Sequence, residues 1–433
     1  MAMPSPPIRI TTNQVKLALF VYALLSISSV FRGICTPQPH YLSSVVVQKH
    51  LRDKSHEICT RRHRQWNLNF DQIRRKATKS LVQDTSLLNA SEATTNQSHY
   101  LFVVTVNDGF FDFFLNWHGH FERTVSKSTS ASNDFGNDGN DENNINQHYF
   151  GNIPVLIIIA EDLIVYEKLS GLYYLINDVS VIILLSESAA KSGVPSAEDY
   201  DSYGYKTLVS SRATHLLDIT CELVRGRRDA LNKSNRTSGH DDIPWVIVYS
   251  DVDTVFLKNP IPYVEAKLFE TVDEPNKSPQ ATERTGLTLA SSNRSQRLSP
   301  SYDIVSSVDN INASGFEFYY CTGFFAINPT PASVVFFSQW EKELQAYPRL
   351  NQPVFNDAIR VPLIGDATIR HAPLKLHDFP SGRLFFETWE KEIDPDFASL
   401  KKSNVVVVHN NYIIGHDAKK KRFLDRGLWL LRD

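Results

Sequence analysis

Cysteine is scarce in this chain: Cys35, Cys59, Cys221 and Cys321 are the only four in 433 residues, and none forms a Cys-x-x-Cys pair. That excludes a disulfide scaffold and the common zinc patterns, and leaves room for a bridge among the last three in an oxidising compartment, unpaired by sequence alone. Glycine is sparse too, at 18, which excludes a collagen-like repeat. Neither sign of charge dominates, with 45 basic against 48 acidic side chains, so the basic excess of an electrostatic nucleic-acid binder is missing. Long apolar runs are absent beyond one near the N-terminus, which excludes a polytopic membrane protein. Aromatic side chains are abundant: 25 Phe, 17 Tyr and 6 Trp are too many for a disordered chain and suit a globular α/β or α+β protein with a sizeable core.

The one apolar run, residues 17–31, reads LALFVYALLSISSVF and follows Arg9 and Lys16. A full span needs about 20 apolar residues, fewer in a thin bilayer, so this segment reads as a signal anchor, with a cleaved signal peptide as its rival. Asn89, Asn96, Asn232, Asn235, Asn276, Asn293 and Asn312 each open an Asn-x-Ser/Thr triplet, which together favour a lumenal or secreted body. Residues 49–80 carry ten basic and three acidic side chains without strong apolar periodicity and read as a solvated stem. The expected division is a tail and anchor over 1–35, a stem over 36–99, and one domain over 100–433, with polar insertions at about 126–148 and 268–300.

Within that domain, 101–106, 155–160, 181–185, 246–249 and 405–408 are short runs rich in β-branched residues, as expected of strands covered on both faces. Helical stretches, such as 162–172, 203–225 and 331–347, lie between several of them, and Pro331 suits a first helical turn. The alternation predicts an α/β domain with a Rossmann-like, mostly parallel sheet, whose ligands bind beyond the carboxyl ends of the strands. Asn107 to Gly109, Glu161 with Asp162, Asp251 with Asp253, and His409 to Asn411 all stand at such ends. Two carboxylates at one strand end repel unless a cation lies between them, so Asp251 and Asp253 are expected to hold Mg²⁺ or Mn²⁺ with positions open for phosphate oxygens. Asp199/Asp201 and Asp394/Asp396 share the spacing but follow no apolar run and read as turn carboxylates. In VVVVHNNYIIGHDAKKKRF, Gly415 would admit a ligand close to the backbone and Lys419 would bring a cation to phosphate, whereas His416 reads as a surface histidine.

The segment YSDVDTVFLKNPIPYV resembles the metal-binding core of nucleotide-diphospho-sugar transferases. More narrowly, it is similar to the plant and algal retaining family that includes rhamnogalacturonan xylosyltransferases and extensin arabinosyltransferases. SYGYKTLVSSR before it, then FYYCTGFFAINPTP, LHDFPSGRLFF and HNNYIIGHDAKKKRFLDRGLW after it, agree in order, as does FVVTVNDGFFDFFLNW. The resemblance implies a single GT-A-type domain, Mn²⁺ or Mg²⁺, a UDP-sugar donor of the xylose, arabinose or galactose class, and a glycan or glycoprotein acceptor. It also implies a type II protein of the Golgi membrane, secreted if the N-terminal segment is cleaved. Carried over to this chain, Asp251, Asp253 and His409 become the metal ligands, with Asp251, Gly415 and Lys419 at the diphosphate. Thr105, Asn107 and Gly109 form the nucleotide-binding turn, Lys206 approaches the donor, and Cys321, Thr322 and Gly323 floor the sugar pocket.

One position departs from the pattern. Asn351-Gln352 stands where the family commonly has Asp-Gln, and an amide is neither base nor nucleophile. Gln352 and the carboxylate of Asp309 remain the catalytic candidates near the sugar. Two rival readings follow: a binding protein that keeps metal and fold without transfer, and a haloacid-dehalogenase-like phosphatase with Asp251 as nucleophile, Asp253 as acid/base and Gly365-Asp366 as half of a last motif.

Overall fold

The computed structural model describes residues 44–62, 73, 98–126, 154–176, 180–186, 203–234, 244–270, 300–311, 318–347, 349–388 and 404–432. The anchor segment, every sequon except Asn232 (whose backbone alone is described), both carboxylate pairs read as turns, and nearly all of the two insertions lie outside them. Among the described residues no helix is long and apolar enough to cross a membrane. The chain divides into two compact units, Met1–Val47 and Gln48–Asp433; of the first, only 44–47 are described, in helical conformation. All that follows concerns the second.

Its centre is a seven-stranded sheet. In chain order the strands are β1 (His99–Val106), β2 (Val155–Ala160), β3 (Val181–Leu185), β4 (Trp245–Ser250), β6 (Ile304–Ile311), β7 (Phe318–Ile327) and β8 (His371–Pro373), and across the sheet they run β3-β2-β1-β4-β7-β6-β8. A two-stranded sheet pairs β5 (Thr254–Phe256) with β9 (Val407–His409). Strands β3, β2, β1 and β4 are parallel, β7 is antiparallel to both β4 and β6, and β8 is parallel to β6. The expected α/β class and mostly parallel sheet are therefore present. All residues of β1, β2 and β4 are buried, as continuous apolar runs require of strands covered on both faces.

Two parts of the strand expectation need correction. β6 is missing from the expected strands because IVSSVDNI is interrupted by polar residues, and FYYCTGFFAI, aromatic rather than β-branched, offers a buried strand at Cys321–Gly323 only as the alternative to a sugar-pocket floor, whereas it forms the whole of β7. The run at 405–408 joins no parallel sheet: it pairs antiparallel with β5, with Thr254 opposite His409. It is apolar because a separate cluster of Phe113, Phe385, Phe423 and Trp429 packs around it.

Helices cover the sheet. Helix Phe111–Phe121 places Phe114, Trp117 and Phe121 in the main core, with the Trp117 and Phe121 rings stacked 5.2 Å apart. Helix Pro331–Ala346 has Pro331 in its first turn, and Thr330 and Ser333 form a reciprocal capping box. Helix Tyr203–Ser234 runs nine residues beyond the expected end at Arg225.

The stem reading fails for residues 48–62. Helix Ser44–Arg61 buries Leu51, Ser55 and Cys59, and Cys59 is disulfide-bonded to Cys221 on helix Tyr203–Ser234. Arg62 donates to both carboxylate oxygens of Glu341 at 2.9 and 2.7 Å and pairs with Asp218 at 2.6 Å. The basic charge of this stretch is partly structural, which composition alone did not separate from a solvated run. Among the described residues Cys321 is a free, buried thiol.

Candidate functional site

Register aligns the strand ends. Val106 of β1 is opposite Ala160 of β2, and Val104 is opposite Ser250 of β4, so Asn107, Glu161 and Asp251 emerge along one edge. β7 enters that edge from the other direction, with Phe324 opposite Ser250, and the Gly323 carbonyl accepts from the Asp251 N–H at 2.8 Å. Asp253 precedes β5, and its carbonyl accepts from Asn410 N–H at 2.9 Å, which ties the turn to the end of β9.

Asp251, Asp253 and His409 meet there. One oxygen of each aspartate is taken by a cation: Arg212 reaches Asp251 Oδ1 at 2.6 Å, and Lys419 donates to Asp253 Oδ2. The other oxygens, Asp251 Oδ2 and Asp253 Oδ1, lie 3.6 and 3.3 Å from His409 Nε2. Two carboxylate oxygens and an imidazole nitrogen within 4.8 Å of one another make a donor set that fits a hard or borderline divalent ion such as Mg²⁺ or Mn²⁺. The charges are mutually adjusted. Burial alone would raise the Asp253 pKa, but Lys419 and His409 outweigh it and hold the carboxyl below the usual range. Burial opposes the charge on His409, yet Cys321 and Asp253 lift its pKa well above an ordinary imidazole.

A second carboxylate stands close by with different partners. Asp309 Oδ2 accepts from Gln352 Nε2 at 2.6 Å, and Oδ1 accepts from Asn411 Nδ2 at 2.5 Å. Asp309, Cys321 and His409 also lie within 4.8 Å of one another, so His409 stands between the two carboxylate groups. Thr322 N–H donates to Gln352 Oε1 at 3.4 Å, which carries the network onto β7. Gly323 is required where it is: a Cβ there would lie 2.1–2.5 Å from the His409 ring.

The remaining expected residues are distributed as follows. Thr105 lies beneath the site, its Oγ1 3.1 Å from the Tyr249 hydroxyl, which donates to Asp251 Oδ1 at 3.0 Å. Asn107 precedes the short turn Asp108–Phe110 that contains Gly109, and its Oδ1 is buried without a hydrogen bond. Gly415 has φ +95°, a conformation that favours glycine, and opens helix His416–Leu424, which delivers Lys419. Lys206 lies on the same helix as Arg212, but it is Arg212 that spans to Asp251. His416 is more than a surface histidine: it bonds Asp112 at 2.8 Å and packs edge-on against Phe113. Asn351 is buried, with its backbone oxygen accepting from Trp340 Nε1 at 3.1 Å and its Nδ2 unbonded.

Arg212 is the site residue the sequence reading missed. It is buried, also donates to the Thr322 carbonyl at 3.1 Å, and lies over the Tyr249 ring at 4.8 Å. It ends the quoted segment SYGYKTLVSSR, so its signal was present without a partner to reveal it. Glu161, noted in the sequence for its strand-end position but given no role there, also belongs to this site. Burial, relieved only in part by Arg212 and Ser211, raises its pKa to about 8. The phosphatase reading finds no support, because Asp366 is exposed on the 364–367 turn while the cations around Asp251 and Asp253 come from positions 212, 409 and 419.

Comparison with known proteins agrees with this geometry. Residues 246–423, which contain Asp251, Asp253, Asp309, His409 and Lys419, match the family model described as nucleotide-diphospho-sugar transferase. The chain is 28% identical over 252 residues to a UDP-D-xylose:L-fucose alpha-1,3-D-xylosyltransferase of Arabidopsis thaliana, covering 55% of this chain and 53% of that protein. A second such enzyme of Arabidopsis thaliana, xylosyltransferase 1, is 29% identical over 252 residues, covering 55% of this chain and 54% of it. The chain thus spans about half the length of the curated relatives it matches. Among solved structures, the glycosyltransferase GlyE of Streptococcus pneumoniae TIGR4 overlaps 78% of this chain and 61% of its own at 9% identity, with a TM-score of 0.36, too loose to transfer anything.

Proposed function

We propose that this chain, which matches the nucleotide-diphospho-sugar transferase model over residues 246–423, is a member of that family and a metal-dependent, retaining glycosyltransferase with a GT-A-type domain. It moves a pentose of the xylose class from a UDP-sugar to a glycan or glycoprotein acceptor. The observation that carries the reading is the convergence of Asp251 Oδ2, Asp253 Oδ1 and His409 Nε2 at the strand-end edge, with Lys419 on the outer side of Asp253. The xylose assignment is supported by the relatives, which are UDP-D-xylose:L-fucose xylosyltransferases.

Breaking the bond between the anomeric carbon and the diphosphate builds negative charge on the leaving group. Asp251, Asp253 and His409 would hold Mn²⁺ or Mg²⁺, which when bound supplies Lewis-acid stabilisation of that charge. Lys419 is the protein's own cation for the diphosphate, placed by the first turn of the helix that Gly415 opens. Asn107 offers a buried, unbonded Oδ1 at the nucleotide end. Arg212 holds Asp251 in position from beneath. At the sugar end, Asp309 stabilises the positive charge that develops on the anomeric carbon, and Gln352 orients it.

The body works in the lumen of the Golgi behind a single-pass type II anchor at residues 17–31, a reading supported by the apolar run and the sequons. Asn351 favours a second reading, a binding protein that keeps nucleotide and metal but transfers nothing. One experiment separates the two: UDP release from a panel of UDP-sugars with Mn²⁺, alongside the melting temperature with Mn²⁺ and UDP. Transfer predicts a thermal shift and release from UDP-xylose. A shift without release from any donor selects the binding protein, and no shift at saturating Mn²⁺ and UDP rejects both.

A further inference from the structure

We propose that Tyr412 is the platform on which the acceptor's sugar ring lies, an exposed aromatic face held beside Asp309. The proposal rests on the transfer reading above and names a residue for its acceptor.

The backbone of Tyr412 is strained. Its φ of +60° is the one positive value at a non-glycine residue among the described residues. A side chain this bulky rarely takes that conformation, and residues held in it gather where ligands bind. Its neighbours impose it. Asn410 is buried and donates from Nδ2 to the Lys419 carbonyl at 3.0 Å. Asn411 Oδ1 accepts from Gly382 N–H at 2.6 Å, and Arg422 donates to the Asn411 carbonyl at 3.0 Å. A Cβ at Gly382 would lie 2.5 Å from that same carbonyl oxygen, so the chain is closely packed just before the tyrosine and cannot shift to relax it.

Burial does not offset the strain. Tyr412 is 48% exposed, and Ile414, two residues on, is 64% exposed. Asparagine or glycine would fit the same turn with less strain, so an aromatic ring here adds little to stability. The ring is nevertheless aimed: its hydroxyl donates to the main-chain carbonyl of Asp309 at 3.4 Å, which brings it to the residue proposed for the sugar end of the site.

The place suits the acceptor rather than the donor. Retention puts the new glycosidic bond on the face that the diphosphate leaves, so the acceptor oxygen arrives from the diphosphate side. Tyr412 stands in the chain between His409, of the proposed metal set, and Gly415, which opens the helix that carries Lys419, and it reaches from there to Asp309. A sugar ring has an apolar C–H face and a rim of hydroxyls. An exposed aromatic face covers the first and leaves the second to solvent and to the polar groups around Asp309.

The test is steady-state transfer from UDP-xylose by the full chain with Mn²⁺, with a panel of methyl glycosides as acceptors, in wild type, Tyr412→Phe and Tyr412→Asn, each with its melting temperature. Phenylalanine keeps the ring; asparagine suits the left-handed backbone and removes it. A platform predicts that asparagine raises the acceptor KM about 10-fold or more. The KM for UDP-xylose should stay within a few-fold, and the melting temperature should equal or exceed that of wild type. Phenylalanine should stay within a few-fold of wild type in both KM values. A purely structural role predicts a lower melting temperature in the asparagine variant with both KM values moving together, and a rise confined to UDP-xylose assigns the ring to the donor; either result overturns the proposal. Wild type that releases no UDP rejects the transfer reading by itself. Saturation-transfer NMR of the same glycosides with Mn²⁺ and UDP then reads the platform directly: contact in wild type that asparagine abolishes supports it, and no contact in wild type overturns it. Tyr412→Gly is the second ringless variant if asparagine does not fold.

Discussion

Two carboxylate groups flank His409 and are treated in opposite ways. Asp251 and Asp253 each give one oxygen to a buried or half-buried cation, Arg212 and Lys419, and turn the other toward the imidazole. Asp309 gives both oxygens to neutral amides, Gln352 and Asn411. An amide orients a carboxylate without cancelling its charge, whereas a cation does both. The first group is organised to accept an ion and its anionic partner, and the second to offer negative charge beside a sugar. Identical side chains thus acquire different roles from their neighbours.

The largest effect is expected at the first group. Asp253→Ala removes an oxygen donor from the proposed metal set and should cut UDP-sugar turnover by about 10²–10³-fold or more. UDP release is the readout, and circular dichroism shows that the fold is intact. Wild-type turnover in that variant would end the assignment of the two roles. Asp309→Asn should lower kcat by about 10²-fold while Mn²⁺ and UDP still bind with near wild-type affinity. If nucleotide affinity falls instead, the two groups are one site and the contrast dissolves.

The bridge between Cys59 and Cys221 probes the contrast from a distance. It secures the helix that also carries Arg212, the partner of Asp251. Replacing both cysteines by serine should cost about 2–5 kcal/mol in chemical denaturation. It should also affect Mn²⁺ and UDP binding before it affects the environment of Asp309; equal effects on both would show that the helix supports the site as a whole.

The smallest effect concerns Glu161. Its pKa of about 8 in the folded chain lies above that of an unfolded glutamate, so the folded state binds the extra proton. The stability this contributes is fully present below the unfolded value, near 4.3, and is lost as pH rises through about 8. Glu161→Gln should flatten that part of the melting temperature's decline by a few degrees. An unchanged profile would show that Arg212 neutralises Glu161 as well as Asp251.

Much of the fold and the proposed metal set could be read along the chain, for a local reason. Strands β2 and β3 were delimited to the residue because apolar β-branched runs can satisfy their burial only between covering layers. Asp251 and Asp253 stood out because they directly follow such a run. Arg212 could not be given its role, since its partners lie at positions 251 and 322. Residues 48–62 read as stem because Arg62, just past helix Ser44–Arg61, finds Asp218 and Glu341 only after folding.

The order of residues by itself determined the parallel strands β1 to β4, the edge at which chemistry-bearing groups emerge and the family resemblance, because burial period and strand-end position are local properties of the chain. Tertiary structure decided which cysteines pair, which cation each carboxylate receives, and that β9 crosses to β5 and brings His409 between two carboxylate groups. Those outcomes depend on contacts between residues far apart in sequence, from 39 positions for Arg212 and Asp251 to 162 for the cysteines and 166 for Lys419 and Asp253, and the electrostatics of each group is set by whatever the fold places within a few ångströms of it.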